Sequence, residues 1–233
     1  MARRKPKKQP ETWWGKAWHF IWYEDSIASW AVNVILAFLI IKFLVYPLLS
    51  VALGTSLPIV AVVSESMDHG YTKEYDSTCN KEYELCGHKL SERPSGVAFQ
   101  DYWERCGDWY EERGITAGAF RDYPFSNGFS KGDIIILAGE EPEDISVGEV
   151  IVFQARKPYP IIHRVVDKHD TPQGYVFETK GDHNPIQISG GIDPGLDETD
   201  VREEQVLGVA KARVPYLGWV KVGLVELITP SRC

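Results

Sequence analysis

Between Asp25 and Glu65 lie 39 residues in which Lys42 is the only charged side chain. About 20 apolar residues suffice for a helix to cross a hydrocarbon core of about 30 Å. The run SIASWAVNVILAFLIIKFLVYPLLSVALG therefore predicts a transmembrane helix over Ile27–Leu53. A secretory signal peptide is the competing reading, but its apolar core would be only about 7–15 residues and would end at a small-residue cleavage site. The run is too long for that and reads as a retained anchor.

Charge gives this anchor a direction. The chain carries 25 basic and 33 acidic residues, a net −8. The first eight residues hold Arg3, Arg4, Lys5, Lys7 and Lys8 and no acid, so +5 sits at the tip and −13 on the remaining 225 residues. Positive flanks stay in the cytoplasm, which places the N-terminus inside and the acidic remainder outside in a single-pass topology. This polarity excludes an ordinary cytosolic globule and argues against nucleic-acid binding by the folded part. Five of the eight tryptophans (Trp13, Trp14, Trp18, Trp22 and Trp30) precede or open the span. They predict an aromatic belt on a short helix lying in the membrane interface, within a cytoplasmic segment 1–26. Lys42 would snorkel toward the outer surface or meet a partner helix, and Pro47 would kink or end the helix.

From Pro58 onward the periodicity changes. PIVAVVSESM, DIIILAG, EVIVFQA, YPIIHRVVDK, GYVFETKGD, QVLGVAKARVPY and WVKVGLVELI are short runs rich in Val, Ile and aromatics, bounded by Gly, Pro and Asp. They predict a mainly β domain over 54–233. An insertion at about 68–130 interrupts it, with one amphipathic helix spaced at Phe99, Tyr102, Trp103, Cys106, Trp109 and Tyr110. The insertion also holds Cys79 and Cys86, and a bridge from either to Cys106 is expected outside the cell, while Cys233 has no evident role. No metal site is expected, because Cys79, Cys86 and His88 lack a close ligand pair.

Three residues stand out chemically. Ser66 ends an apolar strand, where a serine is ordinarily a turn or cap residue. His163 lies inside the strand YPIIHRVV, where a histidine is ordinarily a satisfied core residue. Asp182 lies in the turn TKGDHN, where an aspartate ordinarily caps the backbone. Their surroundings change that balance. Ser64-Glu65-Ser66-Met67 (SxSM), Lys131–Ile135 (KGDII), Ile162–Val165 (IHRV), Lys180–Asn184 (KGDHN) and Gly208–Gly218 (GVAKARVPYLG) resemble, in order, the motifs of type I signal peptidase of the archaeal and endoplasmic-reticulum kind.

The resemblance implies a signal-peptidase-like β domain behind one transmembrane helix. It implies Ser66 as nucleophile and His163 as general base, at the position where bacterial relatives use lysine. A lysine must be buried to lose its proton near neutral pH, whereas histidine titrates there but needs an acceptor to fix its tautomer. Ser64 matches a position that assists the Ser66 N–H at the oxyanion, and Met67 belongs to the same oxyanion and substrate-binding stretch. Three positions depart from the family: Glu65 replaces Gly, His69 replaces Pro, and Ile188 stands where a second Asp is often assigned as the catalytic acid. Asp182 is therefore the expected orienting acid, with Asp193 in SGGIDPG as its alternative.

The implied activity is a membrane-anchored serine endopeptidase of the cell membrane, without cofactor. It would cleave signal peptides from exported preproteins at the outer face, beside the lipid bilayer and the Sec translocon. Substrate would dock as an extended strand against an edge formed by Ile59–Val63 with Val150–Phe153, small residues being preferred at the first and third positions before the cut. The alternatives are a related membrane protease with another substrate, such as a pilin or regulatory peptide, and a non-catalytic anchored binding domain.

Overall fold

The computed structural model describes residues 12–75, 79–94 and 96–219. The basic tip, Cys233 and all of the run WVKVGLVELI after Trp219 lie outside the described residues. The chain divides into two compact units, Met1–Ala52 and Leu53–Cys233.

In the first unit, α1 (Trp13–Tyr23) carries the tryptophan-rich segment, capped by Thr12, whose Oγ1 accepts the Gly15 N–H. α2 (Ile27–Ile40) opens on Ser26, whose hydroxyl accepts the Ser29 N–H. Two side chains of α2 satisfy carbonyls in the last turns of α1: Ser29 Oγ donates to Phe20 O and Asn33 Nδ2 to Ile21 O. The helix continues through a π turn, Ile41–Val45, into α3 (Tyr46–Leu53). The uninterrupted helical stretch Ile27–Leu53 is long and apolar enough to cross a membrane. Pro47 does not end it. The π turn directly upstream, closed by Tyr46 N–H on Ile41 O, accommodates a residue that has no N–H to give. Lys42, inside that turn, sits 5.8 Å and 5.5 Å from the Phe38 and Phe43 ring centroids.

The second unit is mainly β. Among the described residues it holds ten strands: β1 (Ile59–Ala61), β2 (Thr72–Tyr75), β3 (Lys81–Leu85), β4 (His88–Leu90), β5 (Ile134–Ala138), β6 (Val150–Phe153), β7 (Ile161–Thr171), β8 (Gly174–Lys180), β9 (Val201–Arg202) and β10 (Val206–Val214). Seven of them make one antiparallel sheet in the order β1-β5-β10-β6-β7-β8-β9. Successive strand residues point to opposite faces, so β6 sends Val150 and Val152 into a core with Met67, Phe129, Ile135 and Ile162. Its Ile151 and Phe153 enter a second core with Ile145, Val165, Phe177 and Val201. A strand buried on both faces reads as a continuous apolar run, as VIVF does.

Two expectations change here. β1 and β6 do not form a common edge, because β5 and β10 lie between them and all four β6 residues are buried. Among the described residues β1 is a terminal strand of the sheet, pairing only with β5, and β9 is the other. The insertion is also more than one helix. It folds as a three-stranded sheet β2-β3-β4 with α4 (Phe99–Glu111) and α5 (Ala117–Asp122). The strand segments TKEY and KEYEL carry charged residues on their exposed side and so lack the apolar signal of the main sheet. On α4 the predicted spacing does bury one face: Tyr102, Cys106 and Tyr110 pack with Tyr83, Leu85 and Phe120. Cys86 is bridged to Cys106, one of the two pairings left open by the sequence, and Cys79 is disulfide-bonded as well.

Candidate active site

β1 delivers the serine turn. Leaving the sheet at Ala61, the chain is held by reciprocal bonds, Val62 N–H to Asp133 O and Gly132 N–H to Val62 O, and then turns through Ser64–Met67. Ser66 is half-buried, and its hydroxyl lies 3.2 Å from that of Ser64. Met67 is buried in the core, where its sulfur accepts the Asp182 N–H, so its side chain anchors the turn and does not line an open substrate site. Gly128 must be glycine here: its φ is +64°, and a Cβ would fall 2.3 Å from Met67 O and 2.5 Å from His69 Cδ2.

β7 supplies two neighbouring side chains to opposite faces of the sheet. His163 shares the face of Val165 and Ile151, and Phe153 meets its ring edge-on. Its Nδ1 is in contact with the carboxylate of Glu198, and both side chains are buried. Its Nε2 borders Gly181, where a Cβ would lie 2.8 Å from that nitrogen and 2.9 Å from the Ser66 carbonyl oxygen. Histidine ring and serine turn therefore converge on Gly181.

No sequence motif marks Glu198. Its Oε2 accepts the Ile188 N–H at 2.6 Å, and its own N–H donates to Ile188 O. The loop 188–198 thus closes on itself and brings a carboxylate beside the very position where the family carries aspartate. A glutamate, one methylene longer, reaches His163 from across that pairing. Nine residues of Gly- and Pro-containing loop separate the two positions, and nothing short of the folded loop signals their pairing.

Neither expected acid touches His163. Arg164, on the opposite face from His163, claims Asp182: its Nε donates to Oδ1 at 2.9 Å and its terminal nitrogen to Oδ2 at 2.6 Å. The guanidinium also donates to the carbonyls of Pro124, Phe125 and Gly148. Tyr110 donates to Asp182 Oδ1 and His69 Nε2 meets Oδ2. Burial alone would raise the Asp182 pKa, but the Arg164 charge and the His69 bond outweigh it and hold the carboxyl well below the usual range. His69, the departure from the family's proline, stacks on Tyr102 at 3.8 Å, and burial lowers its pKa against the pull of Asp182. Asp193 is half-exposed on the loop and pairs with Lys157 at 2.6 Å.

The KGDHN turn frames the site from the other side. Lys180 is fully buried, donates to Gly181 O, and lies over the rings of Trp109 and Tyr110. Burial brings its ammonium down to about 8, with Asp182 and Glu198 opposing. Beside Ser66 opens a cleft of about 460 Å³ lined by Glu65, Thr72, Glu74, Glu84, Lys89 and His183. Glu65, in place of the family's glycine, loses solvent there, and burial raises its carboxyl. Among the described residues, Asp167, His169 and Glu178 come close enough to share a cation, but they sit at the surface of the β7–β8 hairpin and belong to no part of this arrangement.

The structure thus brings together, around Gly181, the turn that carries the Ser66 hydroxyl and a buried imidazole whose Nδ1 meets a carboxylate, the three kinds of group that serine hydrolases use. No family model matches the chain. The chain is similar to the signal peptidase complex catalytic subunit SEC11C of Homo sapiens, with 32% identity over 96 residues, 40% of this chain and 49% of that protein. It is likewise similar to the catalytic subunits SEC11 of Yarrowia lipolytica, with 32% identity over 102 residues (42% and 56%), and of Komagataella phaffii, with 34% over 104 residues (42% and 60%). The chain thus spans about half of the length of the curated relatives it matches.

Proposed function

We propose that this chain is a membrane-anchored serine endopeptidase that removes signal peptides from exported preproteins, with Ser66 as nucleophile, His163 as general base and Glu198 as orienting acid. The observation that carries the reading is the disposition of His163, its Nδ1 on Glu198 and its Nε2 toward the Ser66 turn. Glu198 keeps the ring proton on Nδ1, leaving Nε2 free to accept. Ser66 Oγ attacks the scissile carbonyl as its proton passes to Nε2, and the imidazolium is balanced by the Glu198 carboxylate. His163 then gives that proton to the leaving amine, the new N-terminus of the mature protein. Water, deprotonated in turn by His163, attacks the ester; His163 returns that proton to the departing Ser66 Oγ, and the signal peptide leaves with a free carboxylate. Ser64 Oγ, beside the nucleophile, is placed to help the Ser66 N–H receive the oxyanion.

Substrate adds as a strand to the edge of β1 (Ile59–Ala61), which among the described residues pairs only with β5; backbone bonding supplies affinity and alternate side chains enter shallow pockets that favour small residues. The helix Ile27–Leu53 anchors the enzyme in the cell membrane with its basic tip cytoplasmic and the β unit outside, where preproteins emerge from the Sec translocon.

The test is cleavage of a preprotein in detergent or vesicles by the wild type, Ser66→Ala and His163→Ala. Both variants lose cleavage to background; full activity in Ser66→Ala would end the reading and leave an anchored binding domain. Gly181→Ala extends the same assay. The added methyl falls within 3 Å of His163 Nε2, Ser66 O and Asn184 Nδ2, so something must shift. A displacement of about 1 Å in reacting groups costs on the order of 10²-fold. We expect a kcat loss of that order, with KM changed far less; a variant within twofold of the wild type would show that the turn is not shared as described.

A further inference from the structure

We propose that the inserted helix α4 is a positioning element of the catalytic centre, acting through the hydroxyls of Tyr102 and Tyr110 on the turn 180–184. The inference rests on the Ser66–His163 reading above and goes beyond it by giving the insertion a role.

The turn 180–184 touches both partners of the proton transfer. Gly181 packs against His163 Nε2, and the His183 N–H donates to Ser66 O at 2.9 Å. Asp182, between them, turns its carboxylate to Arg164 and to His69 and Tyr110 of the insertion. Tyr102 Oη donates to its main-chain oxygen at 3.0 Å and Tyr110 Oη to its Oδ1 at 3.1 Å. A third attachment comes from the strand side, where the Cys86 N–H donates to His183 O at 3.1 Å.

These attachments share one origin. Residues 102, 106 and 110 follow one another at i, i+4 and i+8 and so occupy one face of α4. Cys106, the middle one, is bridged to Cys86, so helix and strand grip the same turn as a unit. Both tyrosines are fully buried, and burial together with the Asp182 charge raises their phenols well above the ordinary value, which keeps them protonated as donors. Packing does not demand the hydroxyls. The surrounding cluster holds Phe99, Trp103 and Phe120, and phenylalanine would fill the same space at 102 and 110. What the hydroxyls add is a fixed position for Asp182, and through it for the amide that holds Ser66.

The experiment compares wild type with Tyr102→Phe, Tyr110→Phe and the double variant, each as the full chain in detergent. Two readouts are taken: hydrogen exchange of a peptide covering 180–184, and kcat and KM for Ser66-dependent preprotein cleavage. The double variant is expected to exchange faster in that turn and to lose kcat by roughly 10-fold or more, as misplacement of reacting groups predicts, with KM within about twofold. The Cys86–Cys106 bridge and the thermal transition verify that α4 remains folded. Unchanged exchange overturns the proposal, since the hydroxyls then do not hold the turn. Faster exchange with unchanged kcat overturns it too, because the turn would then be held without catalytic consequence. If the wild type shows no Ser66-dependent cleavage, the functional reading fails and the proposal with it, whereas exchange still reports whether the turn is clamped.

Discussion

Glu198→Gln is expected to lower kcat of the proposed preprotein cleavage by about 10⁴-fold while leaving the protein folded, by analogy with the loss seen when a triad aspartate becomes asparagine. Glutamine has the same shape, and its carbonyl oxygen can still accept the Ile188 N–H that Glu198 Oε2 now receives. Its amide nitrogen then faces His163 Nδ1 as a donor. That stabilises the tautomer with the proton on Nε2, which cannot accept the Ser66 proton. Asp193→Ala, which removes a surface partner of Lys157, is expected to stay within about twofold of the wild type, as surface pairs contribute little. A Glu198→Gln enzyme with more than a tenth of wild-type turnover would return the search for the acid to Asp182 and Asp193.

Asp182→Asn acts on a different property. Asparagine keeps the volume but removes the charge opposite Arg164, whose side chain is fully buried. Breaking a buried pair by neutralising one partner typically costs about 3–5 kcal/mol, because the other charge is left uncompensated. At roughly 2–4 °C per kcal/mol for a unit of this size, the midpoint of thermal unfolding should fall by about 10 °C. The sign of the pH dependence follows from the depressed carboxyl. The unfolded chain binds a proton near pH 4 and the native state only well below that, so the stabilisation is complete above about pH 4. It is lost as pH falls toward the native value. Denaturant melts between pH 2 and 7 should show a steep acid loss in the wild type and a shallower one in the variant. Equal slopes would mean that Asp182 does not carry this stability.

The two outcomes separate roles that one short motif suggested were joined. The KGDHN turn and IHRV strand were legible as a pair, and the structure does bring them together. The alternation of β7 decides which partner goes where. His163 and Arg164 are adjacent, so one must face each side of the sheet, and the Asp182 carboxylate lies on the arginine side. Asp182 thereby becomes the centre of a buried polar knot joining β7, the Ser66 loop and α4. His163 takes its carboxylate from the other face, at a residue ten positions past the family's site.

Several departures from the family pattern become intelligible in the same way. His69 stacks on an aromatic of the insertion and meets Asp182, so it belongs with the added helix and not with the substrate side. The strands of the insertion lack a sequence signal because their outward residues are charged and their inward ones are few, whereas the spacing of α4 is enough to predict its buried face.

The sequence by itself determined the apolar helix, the charge polarity of its two ends, the mainly β character of the larger unit and the serine and histidine worth watching. Each of these depends on local composition or on short-range periodicity. Tertiary structure alone decided which carboxylate meets the imidazole, which strands lie at the ends of the sheet and what the insertion holds. Those depend on loop closure and sheet order, which bring together residues such as Ile188 and Glu198, or Tyr110 and Asp182, that no local pattern links.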